Sequence, residues 1–312
     1  MLLGLDSFSY HIAYSWGGMD VFAFVRRAHE LGLDGAKINM GGDCAGHLGN
    51  ADPAHLRKVR ALAESFGMYL ELDTRGTEPS HLDKALRICK ALGGDVVRTY
   101  VSVGGDVAQQ LDQAPRNFRA VLPLCEELGV RIALENHEYE SSRQLVRVVE
   151  EIASEHIGLQ VDTGNSMPIW EDPLEAVKTM APHAISSHFK DQAVMMEKGE
   201  PCVVGVPLGR GRVDCAECFR VLAKNSPLRR INIQVCYGYG TGFKVPQEQG
   251  QGGKLGEGAF EILPMPYDAS WVCPYPSESI IKNIKREQLI EWQNQAVEES
   301  VAFVKSLNKR FG

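Results

Sequence analysis

Along this chain the spacing of apolar residues switches repeatedly between a helical period and short aliphatic runs. RRAHELGLDGAKI, RALAESFGMYLEL, RICKALGGDVVRTY and LPLCEELGVRIALE each carry an amphipathic helix that stops at glycine, followed within a few residues by a strand. Glycine just past the last helical position is the expected left-handed C′ residue. The pattern predicts strands near residues 2–6, 36–39, 69–73, 96–101, 131–135, 157–162, 184–189 and 231–236. It predicts helices near 20–31, 53–66, 80–92, 114–128, 142–154, 173–180, 214–223 and 286–307. Strands alternating with helices of this length form βαβ units on a parallel sheet. Eight of each, joined by right-handed crossovers, favour a closed (β/α)8 TIM barrel over a doubly wound sheet. The turn after the first strand, DSFSYH, also lacks the glycines of a phosphate loop.

One segment breaks the rhythm. Residues 237–279 hold YGYGTGF, QEQGQGGKLGEG and ILPMPYDASWVCPYPSES. A loop this long inside a compact domain is usually a lid, a binding loop or a partner contact. It follows the eighth strand, so it is expected to leave from the catalytic mouth, with Phe260, Tyr267, Trp271 and Tyr275 covering a substrate or docking a second protein. The aromatic density is too high for a solvated linker. The whole chain, residues 1–312, is read as one barrel domain carrying this insertion.

Composition narrows the partners. A net charge of −7 argues against a nucleic-acid face, which favours basic residues. No apolar run approaches the ~20 residues of a membrane span, and MLLGLDSFSY reads as a strand rather than a signal peptide, so a cytoplasmic setting is expected. The eight cysteines are then expected to be reduced. Cys215 and Cys218 form a lone C-x-x-C without the second pair a zinc site needs, and Cys89 and Cys125 fall at apolar helical positions.

The chemistry sits at strand ends. RIALE, IGLQVD, AISSH and INIQ each finish on a polar residue: Glu135, Asp162, His188 and Gln234. Residues at strand C-termini of such a barrel face the mouth where active sites are built. Two carboxylates, an imidazole and an amide oxygen suit one divalent cation, Mn²⁺ foremost, with Mg²⁺, Co²⁺ or Zn²⁺ as alternatives.

ALENH, VDTGN, SSHFKD and PLGRGRVD together resemble the xylose-isomerase-like sugar isomerase/epimerase superfamily, over nearly the whole barrel. The resemblance implies a TIM barrel with one metal held by Glu135, Asp162, His188 and the residue at 234. In the superfamily's epimerases the first and last ligands are glutamates that act as an acid/base pair on the two faces of the substrate. Gln234 departs from that pattern, because an amide does not take a proton from carbon near neutral pH. With ENHE and the aromatic insertion, the departure is similar to the lyases of 3-oxo-sugars: the large subunit of C-glycoside deglycosidases, and 3-oxo-isoapionate decarboxylases. The first is favoured, because the aromatic insertion suits an aryl aglycone or a small partner subunit.

The expected reaction is therefore C-deglycosylation of a 3-oxo-C-glycoside by C2 deprotonation and β-elimination. Decarboxylation of a 3-oxo-isoapionate type and keto-sugar isomerisation or epimerisation are the alternatives, and a barrel serving only as a scaffold is a third. His137 is the candidate base, its ordinary pKa of ~6.5 being close to operating pH. Lys190 is expected to orient substrate. His11, Asn136, Asn165, Asp191, Arg210 and Arg212 are expected to contact the sugar, with Asp191 also buttressing a ligand. Gln160 is a further sugar partner, and Phe8 and Trp16 an apolar wall. A homo-oligomer, or a complex with a small second subunit, is expected.

Overall fold

The computed structural model describes residues 1–42, 45–101, 104–264 and 284–312. Its first half runs β1 (Leu2–Asp6), α1 (His11–Ser15), α2 (Val21–Glu30), β2 (Gly35–Asn39), α3 (Pro53–Ser65), β3 (Tyr69–Asp73), α4 (Pro79–Ala91) and β4 (Val96–Thr99). Next come α5 (Val107–Leu128), β5 (Arg131–Glu135), α6 (Ser142–Ile152), β6 (Ile157–Asp162), α7 (Pro173–Met180) and β7 (Ala184–His188). A hairpin, β8 (Asp191–Glu197) and β9 (Glu200–Val206), precedes α8 (Cys215–Asn225), β10 (Arg230–Ile233), β11 (Gly240–Gly242) and α9 (Arg286–Phe311).

Eight parallel strands lie in the order β10–β1–β2–β3–β4–β5–β6–β7. The ring closes between β7 and β10, where Phe189 N donates to Asn232 O at 2.8 Å and Gln234 N to Phe189 O at 2.9 Å. The expected TIM barrel is present, with each expected strand within a few residues of its place. The helices start where the sequence supplies caps. Asp20, Asp106, Ser141, Asp172 and Asp214 each accept a hydrogen bond from the first helical turn, worth ~1 kcal/mol apiece. Proline opens α3, α4 and α7, where its missing N–H costs nothing. At the other end, Gly129 closes α5 at φ 63°, a conformation that a residue with a Cβ enters only under strain. Leu145, Val148, Val149 and Ile152 then bury one face of α6 against the sheet.

Three features differ from the expectation. Helix α5 starts at Val107 rather than near 114, accommodating Pro115 and Pro123 within it. The β8–β9 hairpin was not foreseen. Its turn, Lys198-Gly199, has φ values of 52° and 89°, the primed geometry that a tight hairpin requires. Finally, the start of the 237–279 segment is built into the fold. Strand β11 pairs with β9, and Phe243 stacks on Trp170 at 3.7 Å. Trp170 Nε1 donates to Val245 O at 3.0 Å. Phe260 is buried beside Trp170 and Phe243, which corrects its expected role over the mouth. Tyr267, Trp271 and Tyr275 lie outside the described residues.

Unusually for a barrel core, the interior is polar. Lys37 Nζ, fully buried, donates to Glu71 Oε2 at 2.9 Å, to Ser186 Oγ at 2.8 Å and to Gln160 Oε1. Arg230 Nε closes on Glu71 Oε1 at 2.5 Å. Burial would raise the Glu71 carboxyl, but Lys37 and Arg230 bring it down to about 2. Cys89, Cys125, Cys215 and Cys218 are buried, and burial pushes their thiols up. Inert small hydrophobes behave this way. No helix among the described residues is long and apolar enough to cross a membrane.

Candidate active site at the barrel mouth

Strands β5, β6 and β7 end side by side, and their last residues converge. His188 Nδ1 lies 2.6 Å from Glu135 Oε1 and 3.6 Å from Asp162 Oδ2. All three side chains are buried. Each carboxylate is aimed by a neighbour. Gln160 Nε2 donates to Glu135 Oε1 at 2.8 Å, while the Gly164 and Asn165 amides hold Asp162 Oδ1 at 2.9 Å and leave Oδ2 turned to the group. Donors bound ~2.1 Å from a small cation sit ~3 Å apart, so this set fits one divalent ion. Two oxygens and an imidazole nitrogen are also the hard-to-borderline mix that such ions take.

Gln234, just past β10, lies beside the trio. Its Nε2 is 3.3 Å from His188 Nδ1 and donates to Asp6 Oδ1 at 2.8 Å, and its Oε1 accepts from Cys236 Sγ at 3.4 Å. The other face of His188 meets a second pair of carboxylates, with Nε2 at 2.8 Å from Asp73 Oδ2 and 3.6 Å from Asp6 Oδ2. Burial alone would lower the imidazole pKa, but Asp73, Glu135 and Asp6 hold it well above the ordinary histidine value. Burial likewise opposes ionisation of Glu135, yet Arg98, at 2.5 Å from its Oε2, and His188 keep it well below the carboxylate range.

A cavity of about 410 Å³ is lined by residues that contact this group, Arg98, Lys190 and Gln234 among them. Its wall includes Arg75, Arg98, Tyr100, His137, Asn165, Lys190 and Gln234, with His47 and Phe8 on another side. His137 stacks on Tyr100 at 3.8 Å, and its Nδ1 has no hydrogen-bond partner. Burial lowers its pKa against the opposing pull of Glu135, so the ring is neutral and able to accept a proton. Lys190 Nζ bridges Asp162 Oδ2 at 3.0 Å and Asn165 Oδ1 at 2.7 Å. Arg98 and Lys190 are thus each matched to a carboxylate. Arg75 hydrogen-bonds Tyr100 and has no ion pair among the described residues.

Of the expected sugar contacts, Asn165 lines the cavity together with Lys190 and His137, and the others are placed elsewhere. Asn136 ties β5 to β6, its amide exchanging hydrogen bonds with the Asp162 backbone at 2.9 Å. Asp191 gathers the Gly209, Gly211 and Val213 amides at 2.8–3.1 Å and so fixes the GRGR turn. Arg210 and Arg212 point away from the cavity to Glu299 and Glu261. His11 is buried beneath the mouth, its Nε2 on Tyr237 O at 3.0 Å. Gln160 serves Glu135 rather than a ligand, and Trp16 packs beside Ile12 and Leu289.

Sequence reasoning missed Asp6, His47, Asp73, Arg75, Arg98 and Tyr100. Asp6 and Asp73 are the last residues of β1 and β3, the same strand-end signal that found Glu135.

A family model described as "Xylose isomerase-like TIM barrel" matches residues 25–238. The chain is 32% identical over 182 residues to a 3-oxo-isoapionate decarboxylase of Pectobacterium atrosepticum, covering 58% of this chain and 65% of that protein. It is 29% identical over 182 residues to the uncharacterised protein YihM of Escherichia coli, covering 57% of this chain and 56% of that protein. Each match therefore spans less than two thirds of the relative. Among solved structures, D-psicose 3-epimerase with D-tagatose from Clostridium cellulolyticum H10 superposes with a TM-score of 0.63 at 14% identity, covering 96% of this chain and 98% of that one. At that identity the likeness is one of fold.

Proposed function

Given that the chain belongs to the xylose isomerase-like TIM barrel family, we propose that it is a divalent-metal-dependent carbon–carbon lyase acting on a 3-oxo-sugar. The observation that carries this reading is an amide, Gln234, where the second of two proton-exchanging carboxylates would stand, with an imidazole, His137, beside the remaining one. Gln234 is engaged as a hydrogen-bond donor to Asp6, whereas His137 presents an unpartnered, neutral nitrogen. A site that lacks one of the paired carboxylates suits breaking a bond next to a ketone better than moving a proton between two faces. Glu135, Asp162 and His188 would hold the cation, with Gln234 as a neutral fourth donor. Bound there, it would supply Lewis-acid stabilisation of charge developing on the ketone oxygen.

Decarboxylation of a 3-oxo-sugar acid is the first reading. The bond from the carboxylate to the α-carbon breaks, CO₂ leaves, and the electron pair forms an enediolate with the ketone. The α-carbon then takes a proton relayed by His137. Arg75 favours this substrate class, being a cavity guanidinium without a carboxylate of its own, and the decarboxylase relative supports it. C-deglycosylation, favoured by the sequence, becomes the second reading. There His137 takes the C2 proton, the pair forms the sugar alkene, and the aryl carbon leaves and is protonated. The aromatic lining from Phe8, Tyr100 and Tyr239 suits an aryl group.

The test strips the protein with a chelator and restores Mn²⁺ or Co²⁺. It then offers 3-oxo-sugar acids, 3-oxo-C-glucosides and D-fructose, scoring CO₂, released aglycone and epimer respectively. Metal-dependent CO₂ or aglycone release is expected. Epimer as the sole product, or full turnover in the stripped protein, overturns the reading.

A further inference from the structure

Beside the cation site that it borders, Gln234 answers to a second residue, Asp6. Asp6 is fully buried at the end of β1, next to β10 in the ring, and its orientation is set by the backbone: Phe8 N donates to its Oδ1 at 2.9 Å. The same oxygen accepts Gln234 Nε2 at 2.8 Å. Asp6 Oδ2 has no hydrogen-bond partner, and its neighbour across His188 is another carboxylate, Asp73. Only a donor is accommodated beside Asp6 Oδ1. The amide must present nitrogen to it, because the flipped rotamer would set a carbonyl against a carboxylate. A glutamate at 234 would place two buried acceptors 2.8 Å apart with no hydrogen between them, a repulsion that a low-dielectric interior screens poorly.

We infer that Asp6 is a positioning residue that makes an amide obligatory at 234, and so keeps that side of the cavity out of proton transfer. The inference deepens the lyase reading, in which a single imidazole handles the proton. It also makes a reciprocal demand: a carboxylate at 234 becomes acceptable once residue 6 is uncharged. Asp6→Asn with Gln234→Glu would leave the residue-6 amide Oδ1 accepting from Phe8 N and remove the carboxylate–carboxylate repulsion. It would also move one negative charge from residue 6 to residue 234 with the net charge unchanged.

The experiment is a double-mutant cycle of Gln234→Glu, Asp6→Asn and the two combined. Thermal unfolding of the metal-free proteins and Mn²⁺ affinity by calorimetry are the first readouts. Gln234→Glu alone is expected to lower the metal-free midpoint by several degrees. The double variant should recover most of that loss and bind Mn²⁺ roughly tenfold more tightly than wild type, since its negative charge has moved from residue 6 to residue 234, on the Nδ1 side of His188 where the other donors lie. A third readout follows loss of the C3 proton of D-fructose in D₂O by NMR, where the double variant should exchange faster than wild type. Additive effects on both midpoint and affinity overturn the inference.

Should Gln234→Glu fail to fold, the wild-type protein still decides. The carboxamide protons of Gln234, assigned from their loss in Gln234→Met, should be protected from exchange and should shift in Asp6→Asn. Unshifted, rapidly exchanging protons would rule out the pair. These readouts use no lyase substrate, so a failed lyase reading leaves the Asp6–Gln234 result standing, and the reverse also holds.

Discussion

The barrel mouth has two arcs with different work. The β5–β6–β7 arc carries Glu135, Asp162 and His188, which face one another as a ligand set. The β1–β4 arc carries Asp6, Asp73 and Arg98, which reach the same histidine and glutamate from behind, and Lys37 and Glu71, which pair with each other while Lys37 also meets Asp73. Both arcs are buried and charged, yet one gathers its donors around a single imidazole nitrogen while the other spends most of its charges on pairs with one another and with the first arc. The charges of the second arc hold the ligands of the first in place. The first arc can therefore be altered at a cost in chemistry, and the second only at a cost in folding.

The sharpest way to break that division is at His137, which extends the first arc into the cavity. His137→Ala should slow turnover on the order of 10²–10⁴-fold, the usual worth of a positioned general acid or base. Metal content and unfolding midpoint should stay near wild type, because its Nδ1 makes no hydrogen bond in the structure. A large drop in midpoint would show that the Tyr100 stack is structural instead, and a near-full rate would move the proton to His47 or Lys190.

Lys37→Met tests the opposite arc. It removes the one ammonium between Glu71 and Asp73 and leaves both buried carboxylates short of a partner. Removing one member of a buried pair costs about 3–5 kcal/mol, read from urea unfolding of the metal-free protein. If stability is unchanged while turnover collapses, the second arc is catalytic rather than supporting, and the comparison fails.

How much of this was legible follows from where each signal lies. The barrel could be read because helix period, terminal glycine and aliphatic run repeat in step, and each is a local property. Glu135, Asp162 and His188 were legible for a similar reason, since each ends an aliphatic run abruptly. Asp6 and Asp73 end their strands in the same way, but LLGLD and YLELD were read only as strands. Lys37 and Glu71 sit mid-strand, where a charge reads as solvent-facing unless its partners, from β6 and β7 among others, are known. The roles of Asp191 and Asn136 depend on backbone amides of other segments, which residue type does not announce. The β8–β9 hairpin was readable from a Lys-Gly turn between two apolar runs.

Acid lability separates the arcs more gently. His11, packed under the mouth behind β1, has its pKa lowered to about 4 because burial disfavours the charged ring. A histidine whose folded pKa lies below its unfolded value contributes stability that is intact above pH ~6.5. That contribution is lost as pH falls toward about 4. The shift corresponds to at most about 3 kcal/mol between those limits. His11→Gln should flatten the stability profile from pH 6.5 downward while changing little at pH 8. An unchanged slope would assign the acid sensitivity to other groups, with His47, also lowered to about 4, the next to test.

The smallest effect sharpens the comparison at its outer edge, among the arginines. Arg210 pairs with Glu299 at 2.8 Å, both side chains more than half exposed, and it points away from the cavity. An exposed pair of this kind contributes no more than about 1 kcal/mol, so Arg210→Gln should leave midpoint, metal content and KM almost untouched. Arg75, above Gly42 in a space that a Cβ there would fill, lines the cavity and lacks an ion pair among the described residues. Arg75→Gln should raise KM for a 3-oxo-sugar acid roughly tenfold, the effect of losing one charge-assisted contact. KM for a neutral 3-oxo-C-glucoside should barely change. Two cations of the same type, a loop apart from the mouth and within it, should thus differ in substrate-charge dependence rather than in stability. An equal loss at both positions would mean that long-range attraction, not placement in the cavity, governs binding, and added salt would then abolish both effects together.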